Sequence, residues 1–161
     1  MDINFGIFTP PIFLVTGAAG FIGSFVTTAL LKKGYKVCGT DNLNSYYDLK
    51  LKNSRINQLI ENGNFCFMKC ELSEKEALRN VFLTARPDVV INLAAQAGVR
   101  YSIDHPDTYV QSNIVGFFNV LELCREFKVK HLLYASSSSD VTGFSMKMCL
   151  SLFINSAAIS K

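Results

Sequence analysis

The sequence predicts an α/β protein built on a parallel sheet of about five strands, with helices on both faces. Short apolar runs rich in β-branched residues alternate with longer stretches of helical periodicity, which is typical of strand–helix–strand units. A glycine-rich turn directly follows the first apolar run. The chain has 161 residues, of which 49% are apolar and 18% charged, so it can bury the core of one domain.

The five strand candidates are short and mostly apolar. The first, Ile12 to Val15, is a continuous β-prone run that stops before Gly17, as expected of a strand buried on both faces. The strands are predicted at 12–15, 35–40, 64–69, 89–93 and 131–135.

Four helical stretches separate these strands. The first ends at Lys32-Lys33-Gly34, where basic residues precede a terminating glycine. Ser73 with Glu76 resembles a capping box for the third. Helices are predicted at 21–33, 46–60, from about 73 to 85, and 106–127. Crossovers of this length are right-handed and give parallel strands.

The charge balance argues against two classes of partner. Sixteen Lys and Arg against thirteen Asp and Glu leave a net charge of +3, without long runs of like charge. We therefore expect neither nucleic acid nor a membrane as partner. Apolar runs are all shorter than the ~20 residues of a membrane helix. The N-terminus lacks the basic start of a signal peptide, which predicts a cytoplasmic protein.

The cysteines predict neither disulfides nor a metal site. Cys38, Cys66, Cys70, Cys124 and Cys149 are irregularly spaced, and the chain has only two histidines. We expect them to be small buried side chains in a reducing compartment.

Three glycines after the first strand predict a dinucleotide site. Gly17 permits a tight turn, Gly20 lets the backbone approach a pyrophosphate, and Gly23 allows close helix packing. The helix that follows, beginning at Phe21 and Ile22, directs its N-terminus toward the anion. With a strand before and a helix after, the motif indicates a Rossmann-like sheet.

Asp41 strengthens this prediction, since it lies 18 residues after Gly23 at the end of the second strand. A carboxylate there can accept hydrogen bonds from an adenosine ribose and would repel a 2′-phosphate, which favours NAD over NADP. Its alternative role is a turn or cap residue. A phosphate loop is excluded because no Gly-Lys-Ser or Gly-Lys-Thr follows the glycines. A methyltransferase remains a minor alternative on these residues alone.

Later motifs resemble the extended short-chain dehydrogenases, in the NAD-dependent epimerase/dehydratase family. The motifs occur in the family's order at 16–24, 93–97, 112–116 and 136–139. Segments 41–48 and 95–102 resemble the nucleotide-sugar 4-epimerases that act on UDP-glucuronate. The resemblance covers residues 12 to about 139.

The resemblance implies NAD as cofactor and assigns residues to its parts. The pyrophosphate residues are Gly17, Gly20, Phe21, Ile22 and Gly23; the ribose residues are Asp41 and Asn42; Glu71 and Leu72 lie near the adenine; Leu93, Ala94, Ala95 and Gln96 line the nicotinamide side. Asn113 is expected to brace the backbone of the fourth strand. Glu71 has the alternative of a solvated surface acid.

The resemblance also implies a UDP-sugar substrate. Arg100 and Ser102 are candidate substrate residues, with turn or cap positions as the alternative. Ser137 or Ser138 matches the family's catalytic hydroxyl. Members of the family oxidise the sugar at C4 and re-reduce it from the other face.

The family's catalytic Tyr-x-x-x-Lys is missing from the late part of the sequence. Lys147 and Lys161 are preceded, four residues earlier, by Gly143 and Ala157. Loss of a general base costs ~10²–10⁴-fold in rate, so we expect little turnover. The predicted organisation is an N-terminal extension (1–11), an NAD-binding domain (12–139) and a divergent or truncated segment (140–161).

Four hypotheses of the function follow. The first is the NAD-binding portion of a UDP-glucuronate 4-epimerase. The second is a non-catalytic dinucleotide-binding or dimerising module that pairs through the 106–127 helix, where Phe117, Phe118 and Phe127 offer apolar surface. The third is a fragment resembling a nucleotide-sugar 4,6-dehydratase. A defective fragment without independent function is the simplest alternative.

Overall fold

The computed structural model describes residues 10–135 and confirms the predicted parallel sheet with helices on both faces. All four strand pairs are parallel, in the order β3-β2-β1-β4-β5. The strands are β1 (Ile12–Thr16), β2 (Lys36–Asp41), β3 (Phe65–Lys69), β4 (Val89–Asn92) and β5 (His131–Tyr134). Each lies within one residue of its predicted bounds.

The strand order creates a crevice at the carboxyl ends of β1 and β4, which are neighbours inside the sheet. The chain builds outward from β1 through β2 to β3, then returns to place β4 on the other side of β1. The connections on the two sides diverge at this point, and ligands of such folds bind there, beyond the carboxyl ends of the strands. The helices are α1 (Phe21–Lys32), α2 (Leu49–Ile60), α3 (Lys75–Ala85), α4 (Val99–Asp104), α5 (Pro106–Tyr109) and α6 (Gly116–Glu126).

The core lies on both faces of the sheet. Alternate residues of β1 point to opposite faces, so Leu14 packs into one cluster and Val15 into the other. The first cluster includes Leu78, Phe82 and Leu123, and the second includes Ile56 and Leu59. A strand covered on both faces needs apolar side chains at every position, which explains the unbroken first run.

The predicted 106–127 helix differs in the structure. It is divided into α5, a π-helical segment at Val110–Val115, and α6, and the N–H of Gly116 donates to the carbonyl of Gln111. A single π-helical turn is too short to show a period of its own, so periodicity did not reveal it. Helix α4 was also missed, because six residues are too few to show a period.

The predicted capping box at Ser73 is wrong. Helix α3 begins at Lys75, and Glu74 occupies the cap position without a side-chain hydrogen bond to the helix. The Ser73 N–H lies 3.5 Å from the Glu71 carboxylate. Among residues 10–135, no helix is both long and apolar enough to cross a membrane.

Asp88 joins the amino ends of three strands. Its carboxylate accepts from the N–H of Ile12 at 2.9 Å and lies 2.8 Å from the ammonium of Lys130. Its backbone N–H donates to the Ile12 carbonyl, and its carbonyl accepts from the Lys130 N–H. The bond from Lys130, followed by that from Ile12, lowers the pKa of Asp88 below its ordinary value of 3.8.

We predict that Asp88→Ala destabilises the fold by about 1 kcal/mol at pH 7, because the Ile12 amide loses its acceptor. A carboxylate whose pKa is lowered by folding stabilises the fold above its unfolded-state pKa. This contribution to stability is lost as the pH falls through the folded-state pKa. The difference between the variant and the native chain should therefore shrink toward pH 3. Urea unfolding at both pH values measures it. Glu122→Ala, which breaks an exposed ion pair with Arg125, should have a much smaller effect.

Candidate nucleotide site

The glycine turn brings the ends of β1 and β4 together. Gly17 has a φ of +69°, and a Cβ built on it would lie 2.8 Å from the Ala94 backbone nitrogen. A Cβ on Gly23 would lie 2.7 Å from the Gly17 carbonyl carbon and nearer still to its oxygen. The Gly20 N–H closes the turn by donating to the Gly17 carbonyl at 2.9 Å. These contacts are backbone to backbone, so they exclude any side chain.

Helix α1 presents its first turn at the edge of this crevice. Gly20 is the cap residue, and the side chains of Phe21 and Ile22 are 66% and 60% exposed. The first amides of a helix have no acceptor within it and carry its partial positive charge. Phe21 and Ile22 can therefore bind an anion only through their backbone N–H groups.

Asp41 ends β2 and is only 8% exposed. Its Oδ2 accepts from the Ala19 N–H at 3.3 Å, and its Oδ1 accepts from the Leu43 N–H at 2.8 Å. A carboxylate has about four acceptor positions, so roughly two remain for ribose hydroxyls. The hydrogen bond from the Leu43 N–H also closes a local turn, so Asp41 has the turn role that the sequence offered as an alternative.

Lys52, which the sequence did not single out, is buried beside Asp41. Its side chain is 8% exposed, and its ammonium lies 3.6 Å from Asp41 Oδ1. It donates to the carbonyl and side-chain oxygens of Asn44 at 3.2 and 2.9 Å. No pattern marked this lysine, because a lysine on an amphipathic helix is normally exposed. Lys52 offsets the charge of Asp41, so repulsion of a 2′-phosphate is weaker than the sequence suggested.

Glu71 faces the crevice and is not a free surface acid. Its Oε2 accepts from the Asn42 side-chain amide at 2.7 Å. The Asn42 side-chain oxygen accepts in turn from the Asn44 N–H at 3.0 Å. Leu72 is buried in the core, and its carbonyl accepts from the Asn119 amide at 2.9 Å. The bond between Asn42 and Glu71 joins the loop after β2 to the loop after β3.

Thr16 fixes the backbone beyond β4. Its hydroxyl donates to Asn92 Oδ1 at 2.6 Å and accepts from the N–H groups of Leu93 and Ala94, each at 3.2 Å. The segment from Leu93 to Gln96 therefore leaves the sheet along a defined path. Signals for this role were the threonine at the strand end and the polar Asn92 in an apolar strand.

Asn113 braces this segment from the π-helical turn. Its Oδ1 accepts from the Gln96 N–H at 2.8 Å, and its Nδ2 donates to the Gln96 carbonyl at 3.0 Å. These bonds fix the segment beyond β4 and not, as the sequence had suggested, the strand itself, because Gln96 lies four residues after Asn92. Gln96 itself is buried.

Arg100 and Ser102 lie on α4 and are not among the residues that line the crevice. Arg100 is exposed, and the Ser102 N–H donates to the Gly98 carbonyl at 3.3 Å. An aromatic cluster holds α4, with the rings of Tyr46 and Tyr101 centred 4.7 Å apart. The Tyr109 hydroxyl donates to the Ala97 carbonyl at 2.8 Å. The pKa of Tyr109 is raised, chiefly by burial.

The crevice collects most of the predicted cofactor residues. Predicted residues that line it are Gly17, Gly20, Asp41, Asn42, Glu71, Leu72, Leu93, Ala94, Ala95 and Gln96. Unpredicted ones are Thr40, Asn44, Tyr46, Tyr47, Lys52, Cys70 and Ser112. Gly23 and Asn113 support the walls from behind. Ser137 and Ser138 lie outside the described residues. Among residues 10–135, no group of three or more His, Cys, Asp or Glu side chains could hold a metal ion.

The strand order, the glycine turn and the acid at the end of β2 define a Rossmann-like protein with a crevice at its switch point. The family profile described as GDP-mannose 4,6 dehydratase matches residues 14–148. The chain belongs to this family. The methyltransferase alternative is thereby removed, which the fold alone could not do.

Two relatives share about half of the aligned residues with this chain. Protein CapI of Staphylococcus aureus is 52% identical over 126 residues, covering 78% of this chain and 37% of that protein. The UDP-glucuronate 4-epimerase of Thermodesulfobacterium geofontis is 49% identical over 131 residues, covering 81% and 41%. The chain therefore spans about two-fifths of the length of the relatives it matches.

Solved structures agree with the sequence relatives. A Bacillus cereus UDP-glucuronic acid 4-epimerase, in complex with UDP-glucuronic acid and NAD, has a TM-score of 0.73 and 34% identity, covering 84% of this chain and 44% of that one. A Thermus thermophilus UDP-glucose 4-epimerase in complex with NAD has a TM-score of 0.67 and 32% identity, covering 86% and 43%.

We predict that Gly23→Ala destabilises the chain by about 1–3 kcal/mol, since the new methyl group meets only backbone and nothing flexible can move aside. Urea unfolding followed by circular dichroism measures the loss. Gly63→Ala is the matched control, because nothing lies within 4 Å of a Cβ there. Equal stability of the two variants would contradict the close packing of α1 on the turn.

Proposed function

We propose that this chain forms the NAD-binding portion of a nucleotide-sugar 4-epimerase that acts on UDP-glucuronate. The observation that carries the proposal is the crevice between β1 and β4, where the glycine turn, the Asp41 carboxylate and the segment after β4 meet. The similarity to an epimerase solved with NAD and UDP-glucuronic acid supports it.

The chemistry of the crevice fits the parts of NAD. The first turn of α1 supplies amides for the pyrophosphate, and Asp41 retains acceptor positions for the ribose. The adenine would lie near Asn42, Glu71 and Leu72. The nicotinamide would lie along Leu93, Ala94, Ala95 and Gln96, in the position fixed by Thr16 and Asn113.

When bound, NAD would accept the hydride from C4 of the sugar and return it to the opposite face. Arg100 and Ser102 are the proposed substrate residues, and the exposed guanidinium of Arg100 suits an anionic sugar nucleotide. Ser137 and Ser138 are the proposed hydroxyl groups that hold the sugar 4-hydroxyl. A 4,6-dehydratase would use the same cofactor half, but segments 41–48 and 95–102 favour the epimerase.

The preference for NAD over NADP would rest on hydrogen-bond geometry more than on net charge. Lys52 offsets the charge of Asp41, whereas the free lone pairs of Asp41 require donors. A ribose 2′-hydroxyl can donate to them, but a 2′-phosphate cannot.

The test is a calorimetric titration of NAD into the 161-residue chain. We expect saturable binding that falls roughly 10–100-fold in Asp41→Asn, because a charged acceptor is worth ~1.5–3 kcal/mol. Glu61→Gln, an exposed acid at the end of α2, should bind as the native chain does. A native chain with intact circular dichroism and no NAD binding would refute the proposal.

A second proposal is that two copies pair through the face formed by the π-helical segment and α6. Val110, Ile114 and Phe118 recur every four residues and are 44%, 64% and 56% exposed, so they form an apolar stripe. The sequence named two further aromatics for this face. Phe117 instead packs against Tyr134, and Phe127 against Phe82 in the core. Only Phe118 of the three serves the stripe.

We expect the native chain to sediment as a dimer, and Ile114→Asp to sediment as a monomer, because an unpaired charge cannot be buried in an apolar interface. Phe25→Asp is the control, since Phe25 is equally exposed on α1. Sedimentation velocity at tens of micromolar decides between them. A monomeric native chain would exclude pairing at this concentration.

A further inference from the structure

Cys38 and Cys66 are neighbours across the β2–β3 pair. They are register partners in this parallel ladder, so their side chains lie on the same face of the sheet. Neighbouring strands lie ~4.8 Å apart, within the ~4.4–6.8 Å between Cα atoms that a disulfide requires. The backbone therefore places the two cysteines side by side, at a Cα separation that a disulfide can span. Nothing in the proposed function uses them.

The two thiols differ in exposure. Cys38 is 2% exposed, whereas Cys66 is exposed, because β3 lies at the edge of the described sheet. This corrects the expectation that the cysteines are all buried. Interaction with the neighbouring Cys38 thiol lowers the pKa of the Cys66 thiol to about 7, and the same interaction, with burial, raises the pKa of the Cys38 thiol. The thiolate thus forms on the accessible partner.

Cys70 and Cys124 differ from Cys66 in both exposure and thiol pKa. Burial raises the pKa of Cys70 to about 11, with Glu71 and Glu74 adding to it, and raises that of Cys124 to about 12. Both thiols are buried and remain protonated at neutral pH. Among the described cysteines, Cys66 alone combines access with thiolate character.

We propose that Cys38 and Cys66 form a dithiol modification site that a hydroperoxide oxidises to a disulfide. The Cys66 thiolate attacks one peroxide oxygen, the O–O bond breaks, and hydroxide leaves, which gives a sulfenic acid on Cys66. The Cys38 sulfur then attacks the Cys66 sulfur, and the Cys38 proton leaves with the sulfenic oxygen as water. In total, two thiols and one hydrogen peroxide give one disulfide and two waters.

The position of β3 allows the required movement. The Cβ atoms of a disulfide lie ~3.5–4.5 Å apart, closer than the strand spacing, so one strand must shift by several tenths of an ångström. Strand β3 pairs only with β2 within residues 10–135 and can make this shift. A bond formed under such constraint is readily reduced, which makes the modification reversible.

Peptide mapping tests the proposal directly. Trypsin places the five cysteines in separate peptides, 37–50, 56–69, 70–75, 101–125 and 148–161. We expect stoichiometric hydrogen peroxide at pH 7 to link peptide 37–50 to 56–69, with the loss of two hydrogens. Dithiothreitol should reverse the link, and Cys70→Ser should leave it unchanged.

Two substitutions of Cys38 separate reactivity from linkage. Cys38→Ser retains a hydroxyl donor, so Cys66 should stay reactive and accumulate a sulfenic acid that dimedone traps. Cys38→Ala removes the donor, and alkylation of Cys66 by iodoacetamide at pH 7 should slow by at least about tenfold as the thiolate fraction falls. Oxidation of Cys66 without linkage in the native chain, or equal oxidation of Cys70 and Cys124, would overturn the proposal.

Discussion

The close approach of three backbone segments at Gly17 is the constraint on which this structure depends. The turn after β1 lies against the backbone at Ala94 on one side and against Gly23 of α1 on the other. Side chains are excluded from both contacts, so the helix axis and the path beyond β4 are fixed relative to β1. The walls of the crevice follow from this arrangement, and the Thr16 hydroxyl completes it.

Charge within the crevice is balanced locally. Asp41 and Lys52 lie together, and Glu71 accepts from the neutral amide of Asn42. A buried carboxylate and a buried ammonium are each unfavourable alone, but as a pair that also bonds Asn44 they hold the loop after β2 in place. The side of the crevice that carries Asp41 is thus organised by contacts within the protein itself.

Sequence reasoning captured the parts of this molecule that depend on periodicity and on glycine. The five strands and the positions of Gly17, Gly20 and Asp41 followed from local patterns that the packing reinforced. Lys52, the π-helical turn and the Cys38–Cys66 pair did not, because each depends on which segments become neighbours in space. Lys52 is informative only beside Asp41, and Cys66 only beside Cys38 at an edge of the sheet.

The aromatic cluster at Tyr46 and Tyr101 has a consequence for ligand binding. Tyr46 lies in the loop that follows Asp41 at the end of β2, and Tyr101 directly follows Arg100 on α4, so one packed contact joins these two segments. A ligand that moves one of these rings must carry the other with it or break their contact, and the free energy of any resulting coupling acts equally in both directions. Two molecules seated on opposite sides of this contact would be thermodynamically linked to the extent that each changes it, without touching each other.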